Sequence, residues 1–184
     1  MSERPPRPIR GGASVIAFYI SGHGFGHASR VIEVVNAVAA LAPSTTIIIR
    51  TAAARWLFDV TLRTAAEYHH VVCDVGVLQT DSLHLDIPGT FREAARFYAG
   101  LDSRAEDEAR FLRQRRVDLV VADMPPLAFV AADKAGIPSV AMGNFTWDWI
   151  YSGYPEAMAD APELVSTIRR SHSLASLVVR LPMW

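Results

Sequence analysis

Short stretches that are apolar throughout alternate along this chain with longer stretches whose apolar residues recur every three or four positions. Ser14 to Ile20 (SVIAFYI) is continuously apolar, β-branched and aromatic, and glycines follow it, the pattern of a strand buried on both faces. Thr45 to Ile49, Tyr68 to Val75, Val117 to Ala122 and Pro138 to Met142 read as further strands. Between them, Val31, Val34, Val35, Val38 and Leu41 keep a helical repeat that Pro43 closes, and Ala53 to Leu62 reads as a second helix. Phe91, Ala94, Ala95, Tyr98 and Leu101 predict one helix running through a charged stretch to Arg116, with an i,i+4 pair of Glu106 and Arg110 on its solvated face. Leu127 to Ala135 is a helix stopped by Gly136. After Gly143 come an aromatic and polar segment, a helix near Pro162 to Leu174 and a short apolar run from Leu177 to Leu181. Strands alternating with helices predict an α/β fold, a mostly parallel sheet with right-handed crossovers.

Length fits that pattern, since 184 residues make one domain with a full core. Hydrophobic residues at 51% and charged residues at 20% exclude a disordered chain. Lys plus Arg, 18, against Asp plus Glu, 19, leaves no positive field, so no nucleic-acid partner is expected. Cys73, the single cysteine, can make no internal disulfide and belongs to no zinc-finger pattern, which fits a reducing, cytoplasmic setting. Met1 to Gly12 is rich in Pro and Arg and reads as a flexible tail ahead of the domain. The apolar run after it is too short for a membrane span or a secretory h-region, so no transmembrane segment is expected.

The first strand leads into Ser21 to Arg30 (SGHGFGHASR). In a doubly wound sheet, ligands gather at the carboxyl ends of the strands, where a glycine-rich loop turns backbone N–H groups and a helix N-terminus toward an anion. Gly22, Gly24 and Gly26 are evenly spaced, unlike the dinucleotide fingerprint, and the second strand ends in Arg50 with no acidic residue for a ribose hydroxyl. That disfavours NAD, although an arginine there would suit a 2′-phosphate. No Gly-Lys-Ser/Thr follows, so the loop is not a P-loop. His23 and His27 lie four apart; on a helix that spacing can bind zinc, but the glycines predict a loop and no metal site is expected. The histidines either bond the loop to itself or transfer protons, because imidazole titrates near neutrality. Asp123, at the end of the fourth strand, could orient such an imidazole, or it could cap the helix after Pro125 and Pro126.

GFGHASRVIEVVNAV (Gly24 to Val38) and DLVVADMPPLAFVAADKAGIPSVAM (Asp118 to Met142) resemble the N-terminal half of GT-B glycosyltransferases, the nucleotide-sugar-dependent enzymes made of two Rossmann-like halves. YISGHGFGHASRVIEVV, CDVGVLQTDSL and NFTWDWIY are similar to the glycosyltransferase-like N-terminal region of plant L-arabinokinases and their bacterial relatives, and the resemblance runs from about Val15 to Pro182. It implies an acceptor-side domain at 13–184 whose C-terminal, donor-binding partner domain is absent. By the GT-B pattern, His27 is the general base that deprotonates a hydroxyl acceptor and Asp123 is its partner. His23, which has no counterpart in the plant enzymes, and Gly24 and Gly26 would face the donor diphosphate, with Gly22 beside them. The expected donor is a UDP-sugar, with no metal and no further cofactor. In the arabinokinase-like proteins this region precedes a sugar-kinase domain, so a non-catalytic sugar-binding module is the alternative. A homo-oligomer is compatible with either reading.

Asn144, Phe145, Thr146, Trp147, Asp148, Trp149 and Tyr151 follow the fifth strand, again at the ligand edge. Aromatic faces stack on sugar rings and Asn or Asp side chains bond hydroxyls, so Asn144, Trp147 and Asp148 are candidate substrate contacts; packing is the competing reading for Trp147 and Trp149. Gln79 and Asp81 could line the same cleft. His69 and His70 read as edge residues, His84 as a loop residue and His172 as part of a polar helix face.

Overall fold

Strand β1 (Val15–Ile20) pairs in parallel with both β2 (Thr46–Thr51) and β4 (Leu119–Ala122), so the chain reverses its direction of travel across the sheet at β1. Adding β3 (Glu67–His70), β5 (Ser139–Gly143) and β6 (Leu177–Arg180) completes a six-stranded, all-parallel sheet in the order β3-β2-β1-β4-β5-β6. The computed structural model describes residues 14–159 and 161–181, and the segment 1–12 read as a tail lies outside the described residues.

Both faces of the sheet are covered, which is why its central strands read as unbroken apolar runs. Phe18 and Ile20 of β1 and Ile47 and Ile49 of β2 pack with Val31, Ile32 and Val35 of α1 (Phe25–Leu41) and Leu57 and Phe58 of α2 (Arg55–Thr61). The alternate residues Ala17, Tyr19 and Ile48 point the other way, into a core with α3 (Ile87–Ala99), α4 (Leu101–Gln114) and α5 (Pro126–Ala135). Gly136 ends α5 at φ 67, in the left-handed region, as the sequence predicts. Three further helices follow β5: α6 (Trp147–Ser152), α7 (Pro155–Met158) and α8 (Pro162–His172).

Several predicted bounds change. The long helix expected from Phe91 to Arg116 is two helices, α3 and α4, divided at Gly100, whose N–H bonds the Phe97 carbonyl at 3.2 Å. The break lets Leu101, Ala105, Ala109 and Leu112 bury. The Glu106–Arg110 pair does not form; Arg110 bonds Asp107 one residue nearer, and Glu106 reaches Lys134 of α5 at 2.8 Å. β3 stops at His70, and the chain from 71 to 78 leaves the sheet to run across its carboxyl edge. The run after Leu177 is a sixth strand, paired with β5 and exposed.

One buried ionic cluster lies outside that edge. Glu108 of α4 accepts from Arg50 at 2.5 Å and from the Tyr19 hydroxyl at 2.6 Å, while the Arg50 guanidinium lies 3.8 Å above the Phe111 ring. Arg50 is therefore spent on tying β2 to α4 and is not presented to a 2′-phosphate. Glu108→Ala leaves that guanidinium buried without its counter-charge and is expected to lower unfolding stability by about 3–5 kcal/mol in urea titrations; a loss under about 1 kcal/mol contradicts this account.

Candidate functional site

The carboxyl edge between β1 and β4 is where the strand order reverses, the place where an open α/β sheet forms a crevice. Asp123 leaves β4 there with no exposed side-chain area. Its Oδ1 accepts the Ser21 N–H at 3.1 Å and the Met124 N–H at 2.8 Å, and its Oδ2 lies 2.5 Å from Nδ1 of His27. With both oxygens bonded, the carboxylate fixes the imidazole with Nδ1–H donating and the Nε2 lone pair left over. Asp123 makes no side-chain cap to α5.

His27 does not sit in a loop, as the glycines suggest, but in the first turn of α1, which already starts at Phe25. Gly24 is the residue before the helix, at φ 71, and supplies no side-chain cap. The first N–H groups of α1 are thus free to meet a ligand. Cβ atoms at Gly24 and Gly26 would meet nothing within 4 Å, so both positions face open space. Gly22 answers to packing, because a Cβ there would stand 2.9 Å from Cβ of Ala52. His23 remains in the loop, its N–H on the Ser21 hydroxyl at 3.2 Å and its ring seated over Gly76, where any Cβ would collide with it. Burial, and then the nearby His27, push the His23 pKa below its usual value. His23, Gly22, Ala52, Asp74, Val75, Gly76, Leu78 and Glu93 enclose a groove of about 300 Å³. Helix and loop separate the two histidines, which therefore do not form the i,i+4 pair of a helical zinc site.

The aromatic segment divides. Trp147 is buried, 1% exposed, with its Nε1–H on Asp74 Oδ2 at 2.8 Å. Its ring centroid lies 5.6 Å from that of His23 and 6.2 Å from that of His27. With both faces covered the ring is packed within the protein rather than open to a ligand. Trp149 is the exposed indole, at 69%. Asp148 turns to α8, 3.3 Å from Arg169 and 3.8 Å from His172, so it too is occupied by protein rather than turned to a ligand. Asn144 has a buried Oδ1 with no bonding partner. His172 faces inward instead of lying on a polar face, and its Nε2 bonds the Met124 carbonyl at 3.0 Å, behind Asp123. Asp81 caps its own turn, accepting from Leu83 and His84 N–H groups, and Gln79 bridges to Leu85.

Asp74 is the site residue that the sequence reading passes over. Its signal was a lone carboxylate inside VVCDVGV, an apolar run at a strand's carboxyl end. Burial lifts its pKa to about 6, against smaller downward pulls from the Trp147 and Ser21 hydrogen bonds. A raised carboxylate pKa favours the fold at low pH, and the gain is lost as pH rises through the folded value. As pH climbs from about 4 to 7, the native protein is expected to lose about 3 kcal/mol of stability relative to Asp74→Asn. Urea melts of both proteins across that window check it; parallel stability curves contradict it.

No family model matches the sequence. The chain is 34% identical over 173 residues to L-arabinokinase of Arabidopsis thaliana, a match that covers 91% of this chain and 16% of the plant protein. Among solved structures, the glycosyltransferase SnogD from Streptomyces nogalater superposes with a TM-score of 0.50 and 17% identity, over 94% of this chain and 44% of that one. Phytolacca americana UGT2, complexed with UDP-2fluoro-glucose and pterostilbene, also gives 0.50, at 13% identity, over 92% of this chain and 48% of that one. Each fits against less than half of a longer chain. The protein therefore has the fold of one Rossmann-like half of a GT-B glycosyltransferase, and its sequence is similar to a segment of an L-arabinokinase.

Proposed function

We propose that this chain is the acceptor-side, N-terminal half of an inverting glycosyltransferase that moves a sugar from a nucleotide diphosphate donor to a hydroxyl acceptor. The observation that carries the reading is the 2.5 Å contact between His27 Nδ1 and Asp123 Oδ2, which leaves Nε2 as the only imidazole atom free to take a proton. In the step, the acceptor O–H gives its proton to Nε2 while its oxygen bonds the anomeric carbon, and the bond from that carbon to the diphosphate oxygen breaks. Asp123 stabilises the imidazolium as it forms. The uncapped N–H groups of α1, opened by Gly24 and Gly26, are placed to stabilise charge on the departing diphosphate. The Phytolacca structure holds UDP-2fluoro-glucose, which makes a UDP-sugar the first donor to test.

A second reading rests on the sequence match. This chain spans 16% of a protein whose name is that of a sugar kinase, which supports a sugar-binding or nucleotide-sugar-binding module serving a fused domain. Calorimetry with UDP, UDP-sugars and free sugars separates the two, since binding with no turnover in the complete protein favours the module.

For the transferase reading, His27→Ala in the complete, folded protein is expected to lower kcat by about 10²–10⁴-fold with KM little changed. Transfer close to the native rate overturns His27 as the base.

A further inference from the structure

Beside His27, the site contains a second buried carboxylate that the transfer step does not use. Asp74 comes from the segment after β3, lies close enough to Asp123 and His27 to act on them by charge without a hydrogen bond to either, and accepts the indole N–H of Trp147 at 2.8 Å. Trp147 in turn stands against His23 and His27, at 5.6 and 6.2 Å between ring centroids, and stacks on Tyr151 at 6.0 Å. Tyr151 donates its hydroxyl to the Val75 carbonyl at 2.6 Å. Helix α6 is thereby pinned to the segment after β3 at two successive residues. The Val75 bond uses backbone and survives most side-chain changes, whereas the Asp74 bond depends on one carboxylate.

Packing alone does not account for that carboxylate. A leucine at 74 and a phenylalanine at 147 would fill similar space without the desolvation cost of a buried charge. The acid and the indole add direction, because a charge-assisted N–H···O bond fixes the rotation of the ring where apolar contact does not.

We propose that Asp74 is a positioning residue for the histidine pair: by fixing the Trp147 indole it sets the wall on which both imidazoles rest, and with it the direction of His27 Nε2. The assignment builds on the reading of His27 as the base, but its test does not need turnover.

The 184-residue chain is compared by NMR with Asp74→Asn, Asp74→Leu and Trp147→Phe, following solvent exchange of the His27 Nδ1–H and the titration midpoint of His27. Asn keeps a carbonyl oxygen for the indole while removing the Asp74 charge that acts on His27, so the native exchange rate is expected and its midpoint is the reference for the Leu variant. Leu removes the acceptor and Phe removes the donor, and each is expected to speed Nδ1–H exchange at least tenfold and move the midpoint by about half a pH unit or more, Leu from the Asn value and Phe from the native one, with circular dichroism and cooperative unfolding retained. Native exchange with an unmoved midpoint in either the Leu or the Phe variant overturns the proposal. Should the Leu variant fail to fold, the Phe variant decides alone. Native transfer by His27→Ala would overturn the base assignment, and unchanged His27 signals would overturn the positioning role, so the two failures are told apart.

Discussion

A carboxylate with no exposed side-chain area needs donors for both oxygens, and Asp123 sits where backbone and imidazole donors converge. The Ser21 N–H comes from the end of β1, the Met124 N–H from the residue after Asp123, and the imidazole from the first turn of α1. These bonds join β1, β4 and α1 at the point where the strand order reverses, so the site depends on the register of Tyr19 with Ala122. A one-residue slip between β1 and β4 would turn Asp123 to the opposite face and leave the Ser21 N–H unmatched. His172 of α8 supports the same junction from behind through the Met124 carbonyl.

The two histidines are given different surroundings by one glycine. Gly24 adopts φ 71, which lets the chain turn from loop to helix between His23 and His27. His27 then takes its orientation from the Asp123 carboxylate and the Trp147 ring beside it. His23 takes its own from Gly76 and Trp147 and lines the groove. Burial and the neighbouring imidazole both oppose a charge on His23, so it faces the groove neutral near pH 7, one nitrogen donating and one accepting. The arrangement suits hydroxyl groups better than it suits a second cation.

Most of the fold was legible because each central strand is buried on both faces and shows as an unbroken apolar run, and because Gly136 and Pro43 mark helix ends by their own backbone limits. The proximity of His27 and Asp123 was legible for a related reason, since a parallel sheet brings the segment after β1, which leads into His27, and the end of β4 to one edge. The misses have physical causes too. The start of α1 at Phe25 was hidden because glycine lowers helix propensity, whereas at Gly24 it is the left-handed φ that launches the helix. The division at Gly100 was masked by apolar spacing that continues on both sides of it. The surroundings of Trp147, Asp148 and His172 were not legible because burial depends on how α6 and α8 fold back, and pattern along a short helix does not contain that. Asp74 was passed over because it stands in an irregular segment with no period to betray which way it points.

Two acid–base contacts of equal length show why geometry, not the presence of charge, separates structure from chemistry. Arg50 and Glu108 meet at 2.5 Å, as do His27 and Asp123. Glu108 is closed off by the Tyr19 hydroxyl and Arg50 by the Phe111 ring. That pair can only hold elements together. In the other pair the second nitrogen of the imidazole is not used by the protein, and the ring stands at the crevice edge beside open glycines. A pair whose two members are both closed off by protein adds rigidity; a pair whose imidazole keeps one nitrogen unused aims that atom. The arrangement of Asp123, with all its acceptors filled so that His27 keeps one lone pair, is of the second kind.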